Sequence, residues 1–163
     1  MASSYFLSGL TTRESILDAM TRVLVALDQN DVGLFNSAWA GEDILAQIGV
    51  DENKKVLPNL SVVRKVVFDR IGPMDTTHSF TTPRVHVEEG ADTAVLTAVS
   101  LAQHCPVGRG KEPDGPKYLV GGEYTVDMVK DAADGQWKIK KWILKINWAQ
   151  GDNSILDGPP PAR

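Results

Sequence analysis

Between Thr76 and Trp148 the chain reads as four long strands, and the links between them leave little topological freedom. Thr76 to Glu88, Thr93 to Cys105, Lys117 to Lys130 and Gln136 to Trp148 alternate apolar with polar residues over much of their length. That two-residue period marks strands with one buried face. Glu89-Gly-Ala-Asp92 and Ala133-Asp-Gly135 are tight-turn sequences. Strands joined this closely must run antiparallel, because a parallel crossover takes about a dozen residues or more. Pro83 predicts a bend or a sheet edge within the first strand, and Pro106 to Lys117 has the composition of a mobile loop.

The half of the chain before Thr76 has the helical period instead. Thr11-Thr-Arg-Glu14 is a capping-box sequence. Ile16, Met20, Val23, Leu24 and Leu27 then recur at helical spacing, predicting a helix over 12–29. Asp31 caps a short helix to Ala38, Ile44 to Ile48 is a short strand, and Asn59 caps a helix that buries Val62, Val63, Val66, Val67 and Ile71 before Gly72-Pro73 stops it. Helices followed by a strand meander define an α+β chain. We expect N-terminal helices packed against a strongly curved antiparallel or mixed sheet, a cone-shaped barrel enclosing a pocket, in one domain over 1–152. The Pro-rich tail, 153–163, is expected to be extended or disordered, since three consecutive prolines neither continue a helix nor join a central strand.

Composition narrows the function. The net charge of −4 gives no support for nucleic-acid binding, and no apolar run approaches the ~20 residues that span a bilayer. Lys138, Lys140, Lys141 and Lys145 alternate with Trp137, Ile139, Trp142, Leu144 and Ile146, as the solvated face of a strand would. Cys105 is the one cysteine, which rules out an intrachain disulfide and reads as a buried thiol. The N-terminus has no secretory-signal pattern, and the expected location is cytoplasmic. Phosphate-loop and Gly-x-Ser-x-Gly sequences are absent.

Three positions stand out chemically. Asp28 falls on or beside the apolar stripe of the first helix, where it either frays into solvent or meets a polar cavity or partner. His78 begins one predicted strand and His104 ends the next. Their numbers average to 91, within the turn, so strand pairing brings them together. Imidazole exchanges protons near neutrality, and a carboxylate beside it orients the ring and stabilises its charged form. The third histidine, His86, reads as a surface residue beside a turn. Two His and one Asp also resemble a metal ligand set, but without a helical His-x-x-x-His or a Cys/His cluster a metal-free, cofactor-free site is expected. Trp39, Phe80, Tyr124 and Trp148 are candidates to line the pocket, as are Phe68 and Tyr118, and core packing explains aromatic residues equally well. Glu123 shares a polar strand face with Thr125 and Asp127, pointing to solvent or, in a curved sheet, to the cavity.

Leu27-Asp-Gln-Asn-Asp31, Thr77-His78, His104, Gly122-Glu-Tyr124, Asp134-Gly-Gln-Trp-Lys138 and Trp148-Ala-Gln-Gly-Asp152, in this order of elements, resemble the SnoaL-like family of the nuclear-transport-factor-2-like superfamily. The catalytic pattern resembles scytalone dehydratase, with Asp28 matching its carboxylate and His78 and His104 its two imidazoles. The tyrosine preceding the carboxylate in that pattern is Leu27 here, and the following short strand reads Ala46-Gln47-Ile48 where a second tyrosine would stand. The resemblance implies a cofactor-independent lyase, or a related isomerase or cyclase. Its substrate would be a small, largely apolar, oxygenated molecule such as a polyketide or terpenoid intermediate. Asp28, His78 and His104 would be catalytic, with Trp39, Phe80, Glu123, Tyr124 and Trp148 contacting the substrate. Curved sheets of this kind also imply a homo-oligomer, dimer or trimer. A non-catalytic ligand-binding or dimerisation module of the same fold is the alternative.

Overall fold

The computed structural model describes residues 5–157. Helix α1, Thr12–Gln29, starts at the predicted capping box: the Glu14 amide donates to the Thr11 hydroxyl, and the Thr11 amide donates to the Glu14 carboxylate at 2.7 Å. It ends at Asn30, whose left-handed φ of 54° stops the helix. Helix α2, Val32–Ser37, is capped by Asp31, which accepts from the Leu34 amide. Strand β1, Leu45–Ile48, and strand β2, Lys55–Leu57, follow. At three residues, β2 is too short to show a period in the sequence.

Asn59 then caps a continuous helical rod made of α3, Leu60–Val63, a π-helical turn over Arg64–Phe68, and α4, Asp69–Ile71. The meander follows as β3, Asp75–His86, β4, Thr93–Cys105, β5, Tyr118–Lys130, and β6, Trp137–Gly151. β6 runs three residues past its expected end. Residues 153–157, placed in the tail from sequence, form a 3₁₀ turn packed against α4 and β4. The prolines of the predicted tail lie outside the described residues.

The six strands form one mixed sheet in the order β2-β1-β6-β5-β4-β3. All pairs are antiparallel except β1 with β6. β4 alternates strictly: Ala94, Leu96, Ala98, Ser100, Ala102 and His104 face inward, and the residues between them face out. β3 is an edge strand, and its pairing slips by one residue between Thr81 and Arg84, around the predicted bend at Pro83. The inner face packs on α1 and α2, with Ile16, Met20, Phe35, Leu96, Val126 and Ile139 essentially inaccessible. The lysines of β6 lie toward solvent as expected: Lys138 pairs with Asp131 and Asp134, Lys140 with Asp43, and Lys145 with Glu123. Cys105 is buried and His86 exposed, both as predicted. No helix among the described residues is long and apolar enough to cross a membrane.

One charged residue is built into this interior. Arg22 of α1 is 4 % exposed. Its guanidinium donates to Asp18 at 2.9 Å, to the Ser37 hydroxyl and carbonyl, and to the Trp137 carbonyl at 3.0 Å, tying α1 to the end of α2 and the start of β6. Truncating it strands two backbone carbonyls and a carboxylate. Arg22→Met should lower unfolding stability by about 2–4 kcal/mol. Denaturant titration should show an earlier midpoint with an unchanged slope.

Candidate active site

Asp28 sits in the last turn of α1, where the helix dipole disfavours a negative charge. It does not fray. Its carboxylate receives the Thr76 hydroxyl at 2.8 Å, the His78 amide at 2.9 Å and His78 Nδ1 at 2.7 Å. Burial raises the Asp28 pKa, but the bonds from the His78 ring, the His78 amide and the Thr76 hydroxyl outweigh it and hold the group below the usual carboxylate range. An ionised carboxylate only accepts, so the neutral form of the His78 ring carries its hydrogen on Nδ1 and its lone pair on Nε2.

His78 and His104 come together as the hairpin arithmetic predicts, with a one-step offset. His78 pairs with Ala102, and His104 pairs with Thr76, so the two imidazoles are diagonal neighbours on the inner face. Their ring centroids lie 5.1 Å apart, edge to face. The slip at Thr81–Arg84 moves His78 from the level of outward-facing Gln103 to that of Ala102, which puts both imidazoles on the inner face one step apart. His104 is 4 % exposed, and its Nδ1 lies 3.2 Å from the Tyr118 carbonyl. A carbonyl cannot donate, so Nδ1 again bears the hydrogen and Nε2 the lone pair. Burial, and next the neighbouring His78, push the His104 pKa down to about 4, so this ring is neutral near pH 7.

Both imidazoles line a cavity of about 250 Å³ between the helices and the curved sheet. Val23, Leu24 and Leu27 of α1 form one wall. Val63, Val66, Val67 and Ile71 of the helical rod form another, and Trp142, Leu144 and Ile146 of β6 a third. Leu156 and Asp157 of the 3₁₀ turn complete the lining. Asp28 does not line this cavity and reaches it only through His78, which makes it a positioning residue.

Of the other expected contacts, Trp39 and Tyr124 line the cavity, as does Tyr118. Phe80 packs against the core cluster beside it. Phe68 is a core residue. Glu123 and Trp148 do not face the cavity: both sit at outward register positions, Glu123 bonded to Asn147 and Lys145, Trp148 47 % exposed over Gly121. Strand alternation decides this: Glu123 is next to inward-facing Tyr124, and Trp148 pairs with Gly121, which is next to inward-facing Val120. The sequence reading overlooked Ser100, Phe35 and Trp142, which line the cavity. Ser100 had a signal: it is a lone hydroxyl in the inward series Ala94, Leu96, Ala98, Ala102. Among the described residues, no group of three or more His, Cys, Asp or Glu is clustered so as to hold a metal ion.

Comparison with known proteins agrees with this architecture. Residues 8–143 match the SnoaL-like domain model. The chain is 38 % identical over 148 residues, 91 % of each chain, to terrestric acid biosynthesis cluster protein E of Penicillium crustosum. A crystal structure described as a putative scytalone dehydratase from Novosphingobium aromaticivorans superposes with a TM-score of 0.69 at 21 % identity, covering 86 % of this chain and 87 % of that one. The LinA-type3 hexachlorocyclohexane dehydrochlorinase of Novosphingobium barchaimii superposes with a TM-score of 0.64 at 22 % identity, covering 91 % and 95 %. The chain belongs to the SnoaL-like family and has its nuclear-transport-factor-2-like fold.

The depressed His104 pKa has a consequence for stability. Between about pH 6.5 and 4 the unfolded chain binds a proton on this ring that the folded chain refuses. The stabilisation is therefore complete above 6.5 and is lost as pH falls toward 4. From pH 7 to pH 5 the ring should account for a loss of about 2 kcal/mol, seen as a shallower decline in His104→Gln than in the wild type when both are unfolded by denaturant.

Proposed function

We propose that this protein is a cofactor-independent acid–base lyase, a dehydratase or a closely related isomerase or cyclase. Its substrate is a small, largely apolar, oxygenated molecule of the polyketide or terpenoid kind. The observation that carries the reading is the 2.7 Å contact between Asp28 and His78 Nδ1, which leaves His78 Nε2 as a base in the wall of an apolar cavity. Two comparisons support it. The Penicillium relative is named for a biosynthetic cluster, and both structural neighbours reported above carry names of eliminating enzymes.

In this mechanism His78 Nε2 removes the proton on the carbon next to a carbonyl, and Asp28 stabilises the resulting imidazolium. The electron pair of the broken C–H bond is first shared with the carbonyl, and it then forms the new carbon–carbon double bond as the C–O bond at the neighbouring carbon breaks. The imidazolium returns its proton to the departing hydroxyl, so one water leaves and the enzyme is unchanged. His104, neutral and fixed by the Tyr118 carbonyl, accepts a hydrogen bond at Nε2 and holds that hydroxyl in place. On a panel of β-hydroxy ketones, His78→Ala should lower turnover ~10²–10⁴-fold. Asp28→Asn should lower kcat while leaving KM nearly unchanged. A His78→Ala enzyme with near-full turnover would falsify the mechanism.

We further propose that the protein forms a dimer or trimer with copies of itself through the outer face of the sheet. Val95, Val99, Leu101 and Trp148 are exposed there. Four strands of about twelve residues present a face of about 800 Å², one partner's share of a standard interface. In sedimentation velocity the wild type should run as an oligomer and Trp148→Glu should shift toward monomer. A monomeric wild type would dismiss the assignment.

A further inference from the structure

The imidazoles account for proton movement but not for the carbonyl that makes a neighbouring C–H acidic. Ser100 and Tyr124 offer a group for that task. They face inward from adjacent strands, β4 and β5, each is 3 % exposed, and both line the cavity. The Ser100 hydroxyl is near enough to Tyr124 to oppose the rise that burial gives the phenol pKa. Two hydroxyls carry two protons, and a bond between them would use only one. One O–H is therefore left to donate, in a wall that is otherwise mostly apolar.

Their position fits. Along the inner face of β4 the order is Ser100, Ala102, His104, and His78 stands across from Ala102. The hydroxyl pair thus lies one inward step, about 7 Å, from the level of His78. A C–H carbon ~3–3.5 Å from the imidazole and a carbonyl oxygen ~2.8 Å from a hydroxyl span that step with one carbon–carbonyl unit between them. The residue paired with Ser100 on β5 is Gly122, so no side chain from that position covers the hydroxyl. The Tyr124 ring packs on Trp142 at 5.4 Å, which fixes the direction of the phenol. Burial raises the Tyr124 pKa, the Ser100 bond opposes this, and the Asp28 charge adds to it, so the phenol keeps its proton at working pH. That Asp28 is felt at Tyr124 also places the pair within electrostatic reach of the proton-transfer dyad.

We propose that Ser100 and Tyr124 form the carbonyl-binding subsite of this cavity, and that the substrate is a ketone or comparable carbonyl compound bound with its oxygen on this pair. The assignment rests on the acid–base reading above and deepens it. As His78 takes the proton, the electron pair moves into the C–C bond and negative charge collects on the carbonyl oxygen. The spare O–H donates to that oxygen and strengthens its bond as the charge grows. When the C–O bond at the next carbon breaks, the charge leaves the oxygen and the carbonyl re-forms. Loss of one such donor typically costs ~10²–10³ in kcat.

The test uses two bicyclic probes, 1-tetralone and tetralin, which share a carbon skeleton and differ in the carbonyl. Binding is followed through the fluorescence of Trp39 and Trp142, which line the cavity. The ratio of the two affinities should fall about tenfold in Tyr124→Phe, through weaker tetralone binding with tetralin binding unchanged, as expected for one lost hydrogen bond. Ser100→Ala should lower the ratio in the same direction, which guards against a folding defect in either variant. An unchanged ratio in both variants, or a wild type that binds neither probe, overturns the subsite. Asp28→Asn separates the two readings: it should lower kcat and leave the probe ratio intact. If turnover proves independent of His78 while the ratio still depends on Tyr124, the chemistry falls and the subsite stands.

Discussion

Three hydrogen bonds to one carboxylate organise this protein. Asp28 stands at the end of α1 that least favours a negative charge, and it is held there by Thr76 and by both the backbone and the ring of His78. The same contacts fasten α1 to the edge strand of the sheet, satisfy an amide on that edge, and fix the tautomer of the imidazole. Mechanical attachment and chemical poise are thus one interaction. A chain that lost it would lose the packing of β3 against the helix along with the fixed orientation of the His78 ring.

The cavity follows from pinning α1 at more than one place. Arg22 ties its middle to the end of α2 and the start of β6, and Asp28 ties its end to β3. Between these attachments the sheet curves, and its inward residues meet the helices only in part. The inward series of β4 places Ser100 and His104 along one line, and His78 joins from β3. Polar groups therefore collect on the β3–β4–β5 wall, while α1 and the helical rod supply apolar surface. Such an arrangement suits the largely apolar, oxygenated substrate proposed above.

Much of this was legible in the residues. The capping box, the period of α1 and the strict alternation of β4 fixed the element boundaries to within a residue or two, because local propensity and burial agree there. The proximity of His78 and His104 followed from hairpin arithmetic, and the bulge that sets both on the inner face was hinted at by Pro83 without giving the register. β2 was invisible because three residues carry no period, and the parallel contact of β1 with β6 because nothing local encodes a partner so distant in sequence. Arg22 looked like any charged helical residue, since only the fold reveals the carbonyls that surround it. Glu123 and Trp148 were misplaced because a curved sheet has two faces and composition alone does not say which is inside.

The π-helical turn at Arg64–Phe68 bears on how such a cavity changes shape over generations. A π turn holds one residue more than the α-helical turn it replaces. Here Val66 and Val67 both line the cavity, two neighbours on one side of the rod. Deleting a single residue would restore α-helical winding over that turn and leave what lies beyond it nearly in phase. Arg70 and Ile71 would keep their side of the rod and the adjacent pair Val66 and Val67 would give way to one residue, while Asp28, His78 and His104, on other elements, would stay in place. Length variation by one codon in this rod is therefore a route by which the lineage can exchange one cavity outline for another without disturbing the Asp28, His78 and His104 geometry.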